Sequence, residues 1–166
     1  MTRQMKTIEV MLYKGKKTFF SKMIAWKQWR SFWERYSKYT HVELKIWDMS
    51  FSSSEVDWGV RVKHIDYKKT RWDKIVLKVE KKDFENILSF CLSRLNEEYN
   101  WKAIVLTQIC NWNVKNSDHY FCSEYVCEAL QQASILCGVS AVFVNPAELA
   151  LRLEKEWYTI EKVWLG

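Results

Sequence analysis

Two side chains that could together perform nucleophilic catalysis lie far apart in the sequence. Cys122 stands in the run HYFCSEYV, where an apolar, amphipathic stretch begins, which predicts that it lies at the start of a helix. The unpaired N–H groups of a helix N-terminus stabilise a thiolate, the reactive form of cysteine. Upstream, His41 lies on an alternating segment that predicts a strand. This pair indicates acyl transfer, with Cys122 as nucleophile and His41 as general base.

Length and composition indicate one packed globular domain over residues 1–166. Hydrophobic residues make up 48% of the chain, with ten Trp but four Gly and one Pro, which excludes disordered and collagen-like classes. Apolar runs are too short for a membrane span, and no signal-peptide pattern begins the sequence, so we expect a cytoplasmic protein with no transmembrane segment. The net charge of +6 suits anionic partners, but the lysines are dispersed and favour a solvated basic surface over specific nucleic-acid binding.

The five cysteines argue for reduced thiols rather than for a disulfide framework or a metal site. Their number is odd, and no C-x-x-C pair occurs. Cys122 and Cys127 lie five residues apart on a predicted helix, so their thiols point in different directions. We expect the remaining cysteines to be small buried hydrophobes, and no metal and no organic cofactor to be required.

The periodicity of the apolar residues predicts an α+β fold, with a mostly antiparallel sheet of about five strands packed against several helices. Alternation predicts the strands Ile8–Tyr13, Thr40–Trp47, Ser50–Ser54, Val60–Ile65 and Ile75–Val79, and an edge strand over Tyr158–Trp164. Helical spacing predicts helices over Phe19–Trp33, Phe84–Leu95 with Asp83 as cap, Trp101–Cys110, Cys122–Ala133, and Pro146–Glu154 with Asn145 as cap.

Five segments resemble, in their order, the circularly permuted NlpC-type papain-like cysteine hydrolases. They are Tyr39–Leu44, Phe51–Ser54, Gly59–Val62, Tyr99–Trp101 and Phe121–Val126. In that branch the strand with the histidine precedes the helix with the cysteine, as it does here. The resemblance covers roughly Ile8–Leu153 and is closest to small phage and prophage members. It implies a papain-like fold with the catalytic cysteine at a helix N-terminus.

The resemblance also implies roles for further residues. It favours His41 over His64 and His119 as the partner of Cys122. A third residue, which orients the histidine, is usually a polar side chain on the next strand, where Ser52 and its neighbours Ser53 and Ser54 match. Glu43 follows His41 by two residues and therefore shares its strand face, so it could supply a supporting charge, as could Glu55 or Asp57.

The oxyanion of the reaction would be met by the backbone N–H of Cys122, with Tyr99 as a further donor. Asn100 stands where the family more often has an aspartate. Glu124 could cap the start of the helix or contact an amine of the substrate, and the sequence leaves both roles open.

The expected activity is hydrolysis of an amide bond, of a peptide, isopeptide-like or cell-wall kind, or of an acyl ester or thioester. The basic surface would suit an anionic substrate. The alternative is a catalytically weak or inactive papain-like domain that acts as a phage virion or host-interaction protein, in which case the protein could be packaged in a phage particle. A nucleic-acid binder that uses lysines and exposed aromatic residues ranks last.

Overall fold

The computed structural model describes residues 4–15, 38–67, 71–99, 119–156 and 158–162, and of Glu98, Tyr99, His119 and Lys162 the backbone alone. The helices predicted over Phe19–Trp33 and Trp101–Cys110 lie outside the described residues. The strands are β1 (Met5–Lys14), β2 (Tyr39–Ile46), β3 (Met49–Ser54), β4 (Gly59–His64), β5 (Trp72–Glu80), β6 (Glu98–Tyr99), β7 (His119–Tyr120) and β8 (Ile160–Lys162). The helices are α1 (Lys81–Ser93), α2 (Cys122–Gln131) and α3 (Pro146–Lys155), and a 3₁₀ turn spans Ala141–Phe143.

The described strands form one sheet in the order β7-β6-β4-β3-β2-β1-β5-β8. Six longer strands pair antiparallel, and the two-residue strands β6 and β7 extend one edge, where they pair parallel to each other. The fold is therefore α+β with a mostly antiparallel sheet. None of the described helices combines the length and the apolar content needed to cross a membrane.

The sequence pattern located the longer elements well, but the expectation of about five strands is too low. All five predicted strands and the edge strand are confirmed, with ends that differ by a few residues. The strands β6 and β7 have two residues each, too few for an alternating pattern to show. Asn145 caps α3 through a hydrogen bond from the Glu148 N–H at 2.9 Å, as predicted. The prediction of Asp83 as the cap of α1 is wrong: Glu80 holds that position, and Asp83 lies in the first turn.

The main core lies between one face of the sheet and the helices. Alternation along β2 turns Val42, Leu44 and Ile46 towards this core, where α2 contributes Tyr125 and Val126, all fully buried. Each such side chain stabilises the fold by about 1.5–3 kcal/mol relative to its exposed state. Packing of α2 against β2 thus brings together the two elements on which the predicted cysteine and histidine lie.

The start of β2 is tied to β1 and β5 by a buried carboxylate. Asp73, at the start of β5, is 1% exposed. It accepts a hydrogen bond from the Tyr39 hydroxyl at 2.7 Å and forms an ion pair with Lys14 at 2.6 Å and one with Lys38 at 3.3 Å. Because Tyr39 precedes His41 by only two residues, this cluster fixes the part of β2 that carries the histidine.

The start of α2 is held by two buried serines. Ser53 on β3 donates its hydroxyl to the Tyr120 carbonyl at 2.6 Å, two residues before Cys122. On the other side Ser123 donates to the Val144 carbonyl at 2.6 Å. These bonds fix the segment on both sides of Cys122 relative to the sheet.

We expect Ser53→Ala to loosen the start of α2, since the buried Tyr120 carbonyl loses its donor. The loss should lower the free energy of unfolding by about 1–3 kcal/mol in urea titrations. Amide hydrogen exchange should rise in the peptide that contains Cys122. The matched control is Ser52→Ala, which removes a bond to the Val42 carbonyl (2.7 Å) on the same strand and should leave exchange at Cys122 unchanged. Equal exchange in both variants would contradict this role.

Candidate active site

His41 and Glu43 lie side by side on β2, because residues two apart share one face of a strand. The His41 Nε2 atom lies 3.1 Å from Oε1 of Glu43. The Glu43 side chain is only 2% exposed, whereas that of His41 is 23% exposed. The imidazole is therefore the less deeply buried member of the pair.

Cys122 is the first residue of α2 and meets His41 from the helix side. Phe121 before it is extended, so the chain enters the helix at the cysteine. The Cys122 sulfur lies close enough to the His41 imidazole to raise the pKa of that ring. Cys122 itself is 3% exposed. The helix N-terminus and the histidine thus act on the same sulfur.

Arg61 and Tyr67 complete the surroundings of Glu43. The Arg61 guanidinium on β4 donates two hydrogen bonds to the carboxylate, at 2.7 Å to Oε1 and at 3.1 Å to Oε2. The hydroxyl of Tyr67 donates to Oε2 at 3.2 Å and lies 2.5 Å from the Ser50 hydroxyl. The buried carboxylate therefore has hydrogen-bond partners on both oxygens.

The contacts of the site shift the pKa values of its members in opposite directions. Burial lowers the pKa of His41, but the Cys122 sulfur and the Glu43 carboxylate outweigh it and raise that pKa from 6.5 to about 10. Burial raises the pKa of Glu43, but hydrogen bonds from His41 and Arg61 bring it below its ordinary value. An imidazolium and a carboxylate are thus the favoured charge states at neutral pH.

Two other buried cysteines show what burial alone does to a thiol. Burial raises the pKa of Cys91 to about 11. Burial, helped by the charge of Glu128, raises that of Cys127 to about 12. Both thiols stay protonated at neutral pH, which matches their expected role as small hydrophobes. The same expectation is wrong for Cys137, which is exposed.

The structure brings together some, but not all, of the site residues proposed from the sequence. Cys122, His41 and Glu43 lie together, whereas the Ser52 hydroxyl donates to the Val42 carbonyl at 2.7 Å and, among the described contacts, does not reach His41. Glu124 is buried in the first turn of α2. The side chain of Tyr99 lies outside the described residues.

Sequence reasoning did not assign a role to Arg61 or Tyr67. Arg61 pairs with Ser52 across β3 and β4, and its guanidinium reaches Glu43 on β2. A signal was present in the segment GVRV, where a cation between two valines points away from the core face. Tyr67 follows the end of β4, and no pattern in the sequence indicated that it turns back to Glu43.

No group of three or more His, Cys, Asp and Glu side chains within the described parts of the chain could hold a metal ion. No protein-family model, curated protein or solved structure matches the chain. The contacts around Cys122 and His41 are therefore what supports a function.

We expect His41 to stabilise the fold most at low pH. Its pKa of about 10 in the folded protein lies above the ordinary 6.5, so its stabilisation is complete below pH 6.5 and is lost as the pH rises through 10. Thermal unfolding of the wild type and of His41→Gln should show a gap in melting temperature that is largest near pH 6 and narrows towards pH 10. His64→Gln is the matched control, since His64 is exposed on β4. A difference in melting temperature between the wild type and His41→Gln that stays constant or widens with pH would contradict the raised pKa of His41.

Proposed function

We propose that the protein is a cysteine hydrolase in which Cys122 is the nucleophile, His41 the general base and Glu43 the residue that orients His41. The observation that carries this proposal is one imidazole that lies 3.1 Å from a buried carboxylate and close enough to a thiol at a helix N-terminus for the sulfur to raise its pKa. Such an arrangement is typical of nucleophilic catalysis, where a base activates the nucleophile and a third group orients the base.

In the first half of the reaction His41 already holds the thiol proton as an imidazolium, and the sulfur attacks a carbonyl carbon of the substrate as the thiolate. The negative charge on the carbonyl oxygen is met by the backbone N–H of Cys122, with Tyr99 as a further donor. The carbon–nitrogen bond of an amide, or the carbon–oxygen or carbon–sulfur bond of an ester or thioester, then breaks. The leaving group takes the proton from His41, and the acyl group stays on Cys122 as a thioester.

In the second half water regenerates the thiol. His41 removes a proton from water, which attacks the thioester carbon, and the carbon–sulfur bond breaks to release a carboxylic acid. His41 keeps this proton as an imidazolium, which restores the starting state. In this proposal His41 performs each proton transfer, no metal or organic cofactor is required, and Glu124, in the first turn of α2, could contact an amine of the substrate.

The order of the elements supports placing this hydrolase in the permuted NlpC-type papain-like branch. The histidine strand comes first, and the helix that begins at the cysteine comes late and packs against it. By the same likeness the substrate is a peptide, isopeptide-like or cell-wall amide, or an acyl ester or thioester, and a phage or prophage is the source. The net charge of +6 favours an anionic substrate.

The burial of Cys122 favours a second candidate function. At 3% exposure, the thiol is nearly closed to solvent, as it would be in an inactive papain-like domain that serves as a virion or host-interaction protein. The two candidates differ in the reactivity of Cys122, which can be measured without knowledge of the substrate.

The test is the rate of alkylation of each cysteine by iodoacetamide, followed by peptide mass spectrometry. Because His41 activates the sulfur, Cys122 should be alkylated faster at about pH 6 than the other cysteines of the chain, despite its burial. The exposed Cys137 of the same molecule is the internal control. In His41→Ala, Cys122 should lose this advantage. An inert Cys122, or one indifferent to His41→Ala, would favour the inactive domain.

A further inference from the structure

Arg61 binds Glu43 through the same oxygen that faces His41. Oε1 of Glu43 lies 2.7 Å from one terminal nitrogen of Arg61 and 3.1 Å from the His41 Nε2 atom. The other terminal nitrogen reaches Oε2 at 3.1 Å. A two-pronged contact of this kind fixes the plane of the carboxylate as well as its position.

The guanidinium is itself held in place. Its Nε atom donates to Asp57 at 3.0 Å, and one terminal nitrogen also lies 3.3 Å from the Ser50 carbonyl. All three nitrogens of Arg61 are therefore bound, and its side chain is only 13% exposed. Asp57 lies in the turn between β3 and β4 and also pairs with Lys63. The chain of contacts runs from this turn through Arg61 and Glu43 to His41.

Other charged or titratable groups around the pair come from several elements. Cys122 approaches His41 from α2, and Tyr67 approaches Glu43 from the segment after β4. On β1, Tyr13 is the register partner of His41 and Met11 that of Glu43. Among these described neighbours, Arg61 is the permanently charged cation that contacts Glu43. Its planar guanidinium donates two hydrogen bonds in a geometry that the single ammonium of lysine cannot reproduce.

We propose that Arg61 is a positioning residue of the reaction, which holds the Glu43 carboxylate in the orientation that stabilises the His41 imidazolium. This inference rests on the proposed function for its catalytic meaning, but the geometric effect of Arg61 on His41 can be tested without activity. Arg61→Lys keeps the positive charge but removes the planar guanidinium that donates the two hydrogen bonds. The carboxylate can then turn away from His41, which lowers the pKa of the histidine.

The first experiment measures the neutral fraction of His41 by its reaction with diethyl pyrocarbonate, which modifies neutral imidazole. It is made in Cys122→Ala protein, so that a reactive thiol plays no part. The added substitution Arg61→Lys should shift the pH profile of this modification downward by about one pH unit, which is about 10-fold in the rate at His41 on the rising part of the profile. The exposed His64 is the internal control, and its rate should stay constant.

The matched variant is Arg94→Lys. Arg94 also forms an ion pair, with Glu97 at 2.9 Å, but on the segment after α1. It should leave the rate at His41 unchanged. Asp57→Asn, on an exposed turn, weakens a contact that holds Arg61 but leaves the arginine present. It should increase the rate at His41 by a smaller factor than Arg61→Lys does. It replaces Arg61→Lys as the test if that variant does not fold. Unchanged or slower modification of His41 in both Arg61→Lys and Asp57→Asn overturns the proposal.

The second experiment separates this inference from the proposed function. With Cys122 present, alkylation at about pH 6 should be about 10-fold slower in Arg61→Lys than in the wild type, the effect of a fall of about one unit in the histidine pKa, with a melting temperature close to that of Arg94→Lys. If the wild-type Cys122 is unreactive while Arg61→Lys still accelerates modification of His41, the hydrolase proposal fails and the positioning role stands. If Cys122 is activated and neither reaction responds to Arg61→Lys, the positioning role fails and the hydrolase stands.

Discussion

The site depends on the compensation of one buried charge, the carboxylate of Glu43. A carboxylate at 2% exposure is costly unless charged and hydrogen-bonding groups surround it. Here His41 supplies one partner from the same strand, Arg61 supplies a second from β4, and Tyr67 supplies a third. The same contacts that compensate the charge also set the orientation and the charge state of the imidazole. The hydrogen bonds that stabilise the buried Glu43 carboxylate are therefore the same ones that orient the His41 imidazole.

The fold brings Cys122, the proposed nucleophile, from a distant part of the chain to the hydrogen-bonded side chains around Glu43. The sheet fixes His41 and Glu43 through the pairing of β2 with its neighbours, while Asp73 holds the start of that strand. The helix that begins at Cys122 packs against β2 and β3, and its start is held by bonds from two serines to main-chain carbonyls. Rigid elements rather than loops thus position both reacting side chains, which favours a preorganised site.

The local features of this arrangement could be predicted from sequence, whereas the cross-strand contacts could not. Alternation predicted β2 and the shared face of His41 and Glu43, and the change of period predicted a helix at Cys122. Ser52 was chosen for its place on the next strand, but its hydroxyl bonds to the Val42 carbonyl. The link between Arg61 and Glu43 spans β2, β3 and β4, so it depends on the register of three strands, which the hydrophobic pattern does not specify to the residue.

The most direct test of the account is the charge of the His41 ring, measured in the wild type by ¹⁵N NMR as the pH is raised from about 6. We predict that both ring nitrogens remain protonated through neutral pH and that the ring loses its proton near 10, because Cys122 and Glu43 stabilise the imidazolium despite burial. A ring that becomes neutral near its ordinary pKa of 6.5 would contradict the account, since neither the sulfur nor the carboxylate would then act on the imidazole as the contacts require.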